Sequence, residues 1–330
     1  MTGVVPGAGA PPAPVPGAPA HGPLDPADPG PGDHAPADPA PPHRSPGRRR
    51  VLQAMGLIAL GSLGIQTSSA LSAGLFGALG PATVSSLRLV LAAAVLLVVL
   101  RPRLRGRSRT QWTGIVVYGV AMAAMNLSLY AAIDRIPLGV AVTLEFLGPC
   151  AVAMLASRHL REGLCAVAAL VGVGLISGPG GAFDLAGYAF ALAAAVFFAL
   201  YTVFADRVGK ADDGLSGLAL SVTVAALVAL PWGAGRVGDV TAGQWGVLAA
   251  SAVIGVVVPY SVDTVAARLT SARVVGTLFS IDPAMGALVA LVVLGQSTGP
   301  AAVAGIAVVS LAGALLVAVS GRDRRPAPPS

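Results

Sequence analysis

The sequence has little of what a water-soluble protein or an enzyme needs. Only 11% of its 330 residues are charged, against about 25% in soluble domains. Its two cysteines have no metal-site or disulfide spacing, and its four histidines all lie outside the apolar segments. It contains no phosphate-binding loop followed by Lys-Ser/Thr and no serine elbow. We therefore expect neither an enzyme nor ATP-driven transport, and no cofactor.

What is present is mainly apolar. Hydrophobic residues make up 55% of the chain, and the mean hydropathy is +0.78. They form ten continuous runs, each near the roughly 20 residues that a helix needs to span a bilayer. The predicted spans are 55–77, 82–100, 112–133, 137–156, 163–178, 185–205, 215–233, 244–263, 273–294 and 299–320. The sequence therefore predicts an all-α polytopic membrane protein with ten transmembrane helices.

The two ends of the chain differ from this apolar body. Residues 1–50 hold 15 of the 27 prolines, with Ala, Gly and Asp between them. Such a composition cannot bury enough apolar surface to fold. We expect a disordered cytoplasmic tail over 1–50 and a short cytoplasmic tail over 321–330.

The basic residues predict the orientation of the helices. With the N-terminus inside, 18 cations fall on cytoplasmic segments and only Arg135 and Arg236 on outer ones. Cytoplasmic loops carry an excess of Lys and Arg, so both termini are expected in the cytoplasm of a bacterial cell, with the bundle in its inner membrane. The basic residues of these cytoplasmic segments account for the net charge of +6. We therefore do not expect nucleic-acid binding.

The two halves of the chain resemble each other at an offset of 134 residues. The run from Thr143 to Pro149 aligns with the run from Thr277 to Pro283. Each half, 51–186 and 187–320, holds five predicted spans, so the second half enters the membrane upside down. Inverted repeats are typical of secondary transporters, whose site lies near the midplane between the halves. Chance similarity between Ala/Val/Leu-rich helices is the alternative.

Ionisable groups at membrane depth are costly, and they mark candidate functional sites. Those inside the predicted spans are Arg88, Glu145 and Asp282. Proline has no N–H for the carbonyl four residues earlier, and we expect helix kinks at Pro149, Pro259 and Pro283. Polar residues at helical spacing predict a cavity lining, to which we assign Gln66, Asn126, Tyr201 and Tyr260, with Ser62, Ser69 and Ser72 on the same helix face as Gln66.

Two of these ionisable residues have alternative interpretations. Glu145 is the candidate proton-linked carboxylate, but it could instead form a structural ion pair with Arg88 that only joins two helices. Arg88 could bind a substrate carboxylate through two parallel hydrogen bonds, pair with Glu145, or extend outward to the membrane interface. The sequence leaves these alternatives open.

Six short stretches carry a family resemblance: SLRL at 86–89, MNL at 125–127, IPLGVA at 136–141, LEFLGP at 144–149, VPYS at 258–261 and GTL at 276–278. Together they resemble the EamA-type branch of the drug/metabolite transporter superfamily, and more closely its threonine/homoserine exporters. The resemblance covers 51–320 and implies efflux of small amino acids by proton exchange. Two positions depart from the family pattern, since Gln296 and Asp282 stand where glutamate is frequent.

We therefore predict a secondary exporter of small amino acids or related metabolites, with alternating access between two inverted halves. The expected partners are a small-molecule solute, protons and the lipid bilayer, and a homodimer is left open. The alternatives are efflux of another metabolite or drug by the same fold, and a membrane scaffold or sensor that transports nothing. A scaffold needs neither intramembrane charges nor an inverted repeat.

Overall fold

The computed structural model describes residues 48–155, 184–211, 215–259, 279–296 and 299–320, with 168, 171, 172, 175 and 262 besides. All regular elements in these ranges are helical, as predicted. They are α1 (Arg48–Ala73), α2 (Phe76–Leu79), α3 (Pro81–Leu100), α4 (Arg109–Ile133), α5 (Leu138–Glu145), α6 (Leu147–Leu155), α7 (Leu185–Ala211), α8 (Leu215–Ala234), α9 (Ala242–Ala252), α10 (Asp282–Val293) and α11 (Pro300–Ser320). Two 3-10 turns lie over Val237–Asp239 and Phe279–Ile281, and a π-helical stretch lies over Val253–Val257.

Four of these helices are long and apolar enough to cross a membrane. They cover Pro81–Leu100, Arg109–Ile133, Leu185–Phe204 and Leu215–Ala234. Shorter apolar helices cover Leu138–Val152, Ala242–Val257, Asp282–Val293 and Pro300–Ala312. The predicted span 163–178 and most of the predicted tails lie largely outside the described residues, as do the first two residues of the repeat segment 277–283.

Several helix ends differ from the predicted ones for local reasons. The first span begins at Arg48 rather than 55 and stops at Ala73. After it, Gly80 adopts a φ of 81° and Pro81 opens α3, the helix position that best tolerates proline. Ser108 starts α4 early, because its hydroxyl accepts from the Gln111 N–H at 3.2 Å in a capping box.

The main helix contacts join the two halves of the chain. α3 packs on α8, α5 packs on α10, and α4 packs on both α7 and α8. α1 packs on α10, on α9 and on the π-helical stretch. Small residues allow these close approaches. At Gly139 of α5, an added Cβ would lie 2.8 Å from the Cα of Ala287 in α10. Residues far apart in sequence are thereby brought together around α1.

Candidate functional site

Two carboxylates from opposite halves of the chain lie close together. Glu145 is the last residue of α5, and Asp282 is the first residue of α10. Their charges are near enough to interact, and the side chain of Ser62 on α1 lies next to Asp282. Gln66 follows Ser62 by one helical turn on the same face of α1. We call these four residues the carboxylate cluster.

Each member of the carboxylate cluster has a buried oxygen without a hydrogen-bond partner in the part of the chain that the structure describes. The atoms are Ser62 Oγ, Gln66 Oε1, Glu145 Oε1 and Asp282 Oδ1. Glu145 is 7% exposed and Gln66 is 3% exposed. A buried acceptor with no donor costs about 1–3 kcal/mol, and a charged one costs more. The cluster is therefore suited to receiving a donor or a cation.

The helix around Glu145 has a one-residue distortion at Phe146, which we call the helix break. α5 ends at Glu145 and α6 begins at Leu147, but Phe146 keeps helical φ and ψ of −62° and −16° and its N–H still bonds to the Val142 carbonyl at 3.0 Å. Pro149 has no N–H to bond with the Glu145 carbonyl. In the other half, Pro283 lies in the first turn of α10, directly after the 3-10 turn Phe279–Ile281. A missing N–H is harmless in a first turn, and the described residues of this segment begin at 279, so the predicted kink at Pro283 stays a prediction.

Arg88 points into the protein from the middle of α3 and is only 3% exposed. Its Nη1 donates to Asn126 Oδ1 at 3.1 Å and its Nη2 to the Gly255 carbonyl at 3.4 Å. The guanidinium carbon lies 5.4 Å from the ring centroid of Tyr130. Its Nε is buried and has no partner among the residues that the structure describes. The outward extension considered from the sequence is therefore wrong.

The ion pair considered between Glu145 and Arg88 is also not formed. The ion pairs between described residues are Arg135–Asp184 at 3.4 Å and Arg236–Asp239 at 3.0 Å, and both are solvent-exposed. At the first pair, a hydrogen bond from the Gly187 N–H and then the nearby Arg135 hold the pKa of Asp184 below its ordinary value. Among the described residues, the hydrogen-bond partners of buried Arg88 are thus neutral.

Pro259 accounts for the backbone carbonyl that Arg88 reaches. In a regular helix the carbonyl of Gly255 would accept from the N–H of residue 259, which proline lacks. The chain there winds as a π-helix over Val253–Val257, a form that is frequent at functional sites. A Cβ at Gly255 would collide with the Ser68 side chain and with the Arg88 guanidinium. Glycine is therefore required for this contact.

A serine network next to Arg88 was missed by sequence reasoning. Ser68 Oγ donates to the Ser251 carbonyl at 2.7 Å, and the Ser72 and Ser251 hydroxyls are 2.7 Å apart. The Tyr130 hydroxyl donates to Ser72 at 3.1 Å. The predicted polar face of α1 is thus divided, because Ser72 joins this network while Ser62 faces Asp282. The spacing of four between Ser68 and Ser72 was the available signal.

The remaining predicted residues lie in varied surroundings. The Tyr201 ring packs on Tyr118, with centroids 4.8 Å apart, beside a buried apolar cluster. Tyr260 lies outside the described residues. Gln296 accepts a hydrogen bond from the Leu138 N–H at 3.1 Å, at the start of α5. An amide oxygen can make this bond without a charge, so the substitution at Gln296 keeps a structural role.

Comparison with known proteins places this arrangement in a family. Residues 185–319 match the model of the EamA-like transporter family. The threonine/homoserine exporter RhtA of Salmonella typhimurium (strain LT2) is 34% identical over 247 residues, which cover 73% of this chain and 82% of the relative. RhtA of Escherichia coli (strain K12) is 33% identical over 250 residues, covering 74% and 83%.

A solved crystal structure supports the fold alone, at 18% sequence identity. It superposes with a TM-score of 0.55 over 82% of this chain and 98% of that chain. The sequence relatives and the apolar helices agree with the predicted multi-pass membrane protein of the bacterial inner membrane. The chain belongs to the EamA-like transporter family and is similar to the threonine/homoserine exporters over most of its length.

Proposed function

We propose that this protein is a secondary exporter of small amino acids that exchanges the solute for protons by alternating access. The observation that carries the proposal is the pair of buried Glu145 and partly buried Asp282, which the two halves of the chain contribute together. One oxygen of each carboxylate has no hydrogen-bond partner among the described residues, and no ion pair within that part of the chain joins buried Arg88 to a carboxylate. The curated relatives, named as threonine/homoserine exporters, favour small amino acids as the solute.

Glu145 is the proton-linked group in this proposal. It lies at the break between α5 and α6, where a small rearrangement changes its access to either side of the membrane. A proton is the smallest cation that satisfies a buried carboxylate oxygen with no donor. Asp282 lies across the boundary between the halves, so the charge on this pair depends on how the halves meet.

Arg88 is proposed to bind the carboxylate of the solute. A guanidinium has five N–H donors, and Arg88 uses two of its nitrogens on neutral oxygens while Nε stays unpartnered. A planar guanidinium matches a carboxylate better than an ammonium does. Asn126 and Gly255 hold the group in place without neutralising its charge.

The helix pairing supports two inverted halves. Two contacts, α3–α8 and α5–α10, each join a span of the first half to the corresponding span of the second half. The other two form a matched pair: if every helix is replaced by its counterpart in the other half, the contact α4–α7 becomes the contact α9–α1. A two-fold relation between the halves produces this set of contacts. Such a relation is expected of a transporter whose halves rock around a central site.

The proposed orientation predicts which loops can be labelled from outside. In a background with Cys150→Ala and Cys165→Ala, a membrane-impermeant maleimide on intact cells should label Arg236→Cys and leave Arg105→Cys unlabelled. Both should react after the cells are opened. Labelling of Arg105→Cys in intact cells, with Arg236→Cys protected, would show that the protein has the opposite orientation in the membrane.

A growth-tolerance screen tests the proposed solute class. Cells that overexpress the protein are challenged with single amino acids, amino-acid analogues and cationic drugs at growth-limiting concentrations. We expect increased tolerance to threonine and homoserine relative to an empty vector, with Arg236→Gln as a surface control that behaves like the wild type. Tolerance only to cationic drugs would favour drug efflux, and tolerance to no compound would contradict export.

A further inference from the structure

The carboxylate cluster and the surroundings of Arg88 are chemically opposite. The first offers unpartnered oxygens from Ser62, Gln66, Glu145 and Asp282, and the second offers an unpartnered N–H from Arg88. Neither group neutralises the other, because no ion pair joins Glu145 to Arg88 among the described contacts. One buried region is therefore ready to receive a donor, and the other to receive an acceptor.

The two regions meet along a single helix. Ser62 and Gln66 of α1 belong to the carboxylate cluster, whereas Ser68 of α1 contacts the segment that holds Gly255, the backbone partner of Arg88. At a rise of 1.5 Å per residue, Ser62 and Ser68 are about 9 Å apart along the helix axis. The Arg88 guanidinium lies at the Ser68 end of this interval, because a Cβ on Gly255 would touch both side chains. The interval is therefore the span that one small solute, with a hydrogen bond at each end, has to bridge.

We infer that Asp282, with Ser62 beside it and Gln66 one helical turn further along α1, is the subsite that binds the α-ammonium group of the solute whose carboxylate binds Arg88. An ammonium group has three N–H donors and no acceptor, so it can donate to the Asp282 carboxylate, the Gln66 amide oxygen and the lone pairs of the Ser62 hydroxyl. Glu145 remains the proton-linked partner. This inference rests on the proposed function, because it takes the solute to be an amino acid.

The composition of the cluster favours an ammonium group over a metal ion. Within the part of the chain that the structure describes, no group of three or more His, Cys, Asp and Glu residues could hold a metal. The cluster has two carboxylates, an amide oxygen and a hydroxyl. A monovalent cation such as Na⁺ would also find oxygen ligands there, so it is tested as the competing occupant.

The positive charge of Arg88 and the negative charge of the carboxylate cluster predict that the solute must carry both an ammonium group and a carboxylate. Leaving a buried polar group unpaired costs about 1–3 kcal/mol, which corresponds to about 5- to 150-fold in affinity. An analogue with a hydroxyl in place of the ammonium group should therefore bind at least about tenfold more weakly than the amino acid. So should an analogue without the carboxylate.

Isothermal titration of the purified full chain in detergent tests these expectations with three probes. They are L-threonine, 2,3-dihydroxybutyrate, which lacks the ammonium group, and L-threoninol, which lacks the carboxylate. Asp282→Asn should weaken L-threonine and L-threoninol but not 2,3-dihydroxybutyrate. Arg88→Gln should weaken L-threonine and 2,3-dihydroxybutyrate but not L-threoninol. Asp282→Asn therefore removes only the selectivity for the ammonium group, and Arg88→Gln removes only the selectivity for the carboxylate.

Milder variants keep the test decisive where Asp282→Asn fails to fold. Ser62→Ala should weaken L-threonine severalfold and leave 2,3-dihydroxybutyrate unchanged. Ser310→Ala is the matched control, because Ser310 also has a buried hydroxyl without a partner but lies on α11, outside the carboxylate cluster. It should bind all three probes as the wild type does.

Three results would overturn the ammonium subsite. The first is equal affinity of the wild type for L-threonine and 2,3-dihydroxybutyrate. The second is equal weakening of both compounds by the Asp282 and Ser62 variants. The third is Na⁺ binding that depends on Asp282, together with no preference for L-threonine over 2,3-dihydroxybutyrate. In each of them L-threonine still binds, so amino-acid export stands. If L-threonine does not bind and no amino acid is exported, the proposed function fails and the subsite fails with it.

Discussion

Replacing Glu145 with Gln should reduce proton-driven export to the level of protein-free vesicles while the protein still folds and inserts. Glutamine keeps the shape and most of the hydrogen-bonding capacity of the side chain, but it cannot take up and release a proton. Glu145 has no ion-pair partner among the described contacts. Removing its charge therefore leaves no buried cation newly unpaired.

The measurement is solute transport in proteoliposomes under an imposed pH gradient, normalised to reconstituted protein. A structural role for Glu145 predicts a different pattern, in which Glu145→Gln lowers protein abundance and the double change with Arg88→Gln restores it. Because the two side chains are not paired, we expect no such restoration. Full gradient-driven transport by Glu145→Gln would contradict the proton-linked role.

Replacing Gly148 with Ala should greatly reduce the yield of folded protein. A Cβ at Gly148 would collide with the Ala195 carbonyl oxygen and lie 3.0 Å from the Ala199 nitrogen. Both are backbone atoms of α7, so no side-chain rotation relieves the contact and α6 must move away. Overpacking of this kind costs typically about 1–3 kcal/mol, occasionally more. The move would also displace the helix break that carries Glu145.

Gly246→Ala is the matched control for the Gly148→Ala variant. Gly246 lies within α9, and an added Cβ there has nothing within 4 Å. Alanine is roughly 1 kcal/mol better than glycine inside a helix, so this variant should be at least as stable as the wild type. Monodisperse yield and melting temperature in detergent compare the two variants. Equal stability would show that α6 and α7 are not packed backbone to backbone.

The all-helical, membrane-spanning character of the chain was predictable, because the bilayer imposes a length on each apolar run. The helix interruption near Glu145 also follows from Pro149, whose missing N–H is a local property. In contrast, the start of α10 at Asp282 depends on the 3-10 turn before it. Proline alone is compatible with either a kink or a first turn, so the sequence did not decide between them.

The partners of Arg88 were not predictable, since they come from distant parts of the chain. Asn126 lies 38 positions away and Gly255 lies 167 positions away. The Gly255 contact also needs a carbonyl freed by Pro259 and a residue without a Cβ. Ser251 was overlooked for a related reason, because a single serine in an apolar helix is equally typical of plain helix packing.

Efflux from reconstituted vesicles tests the central claim most directly. Vesicles with the purified wild-type protein are loaded with labelled L-threonine, and the loss of label is followed with and without a pH gradient, against protein-free vesicles. Our account predicts protein-dependent efflux that a gradient of the favourable sign accelerates and that Glu145→Gln lowers to the protein-free rate. Efflux that is the same with and without the protein, for L-threonine and every other small amino acid tried, would contradict it.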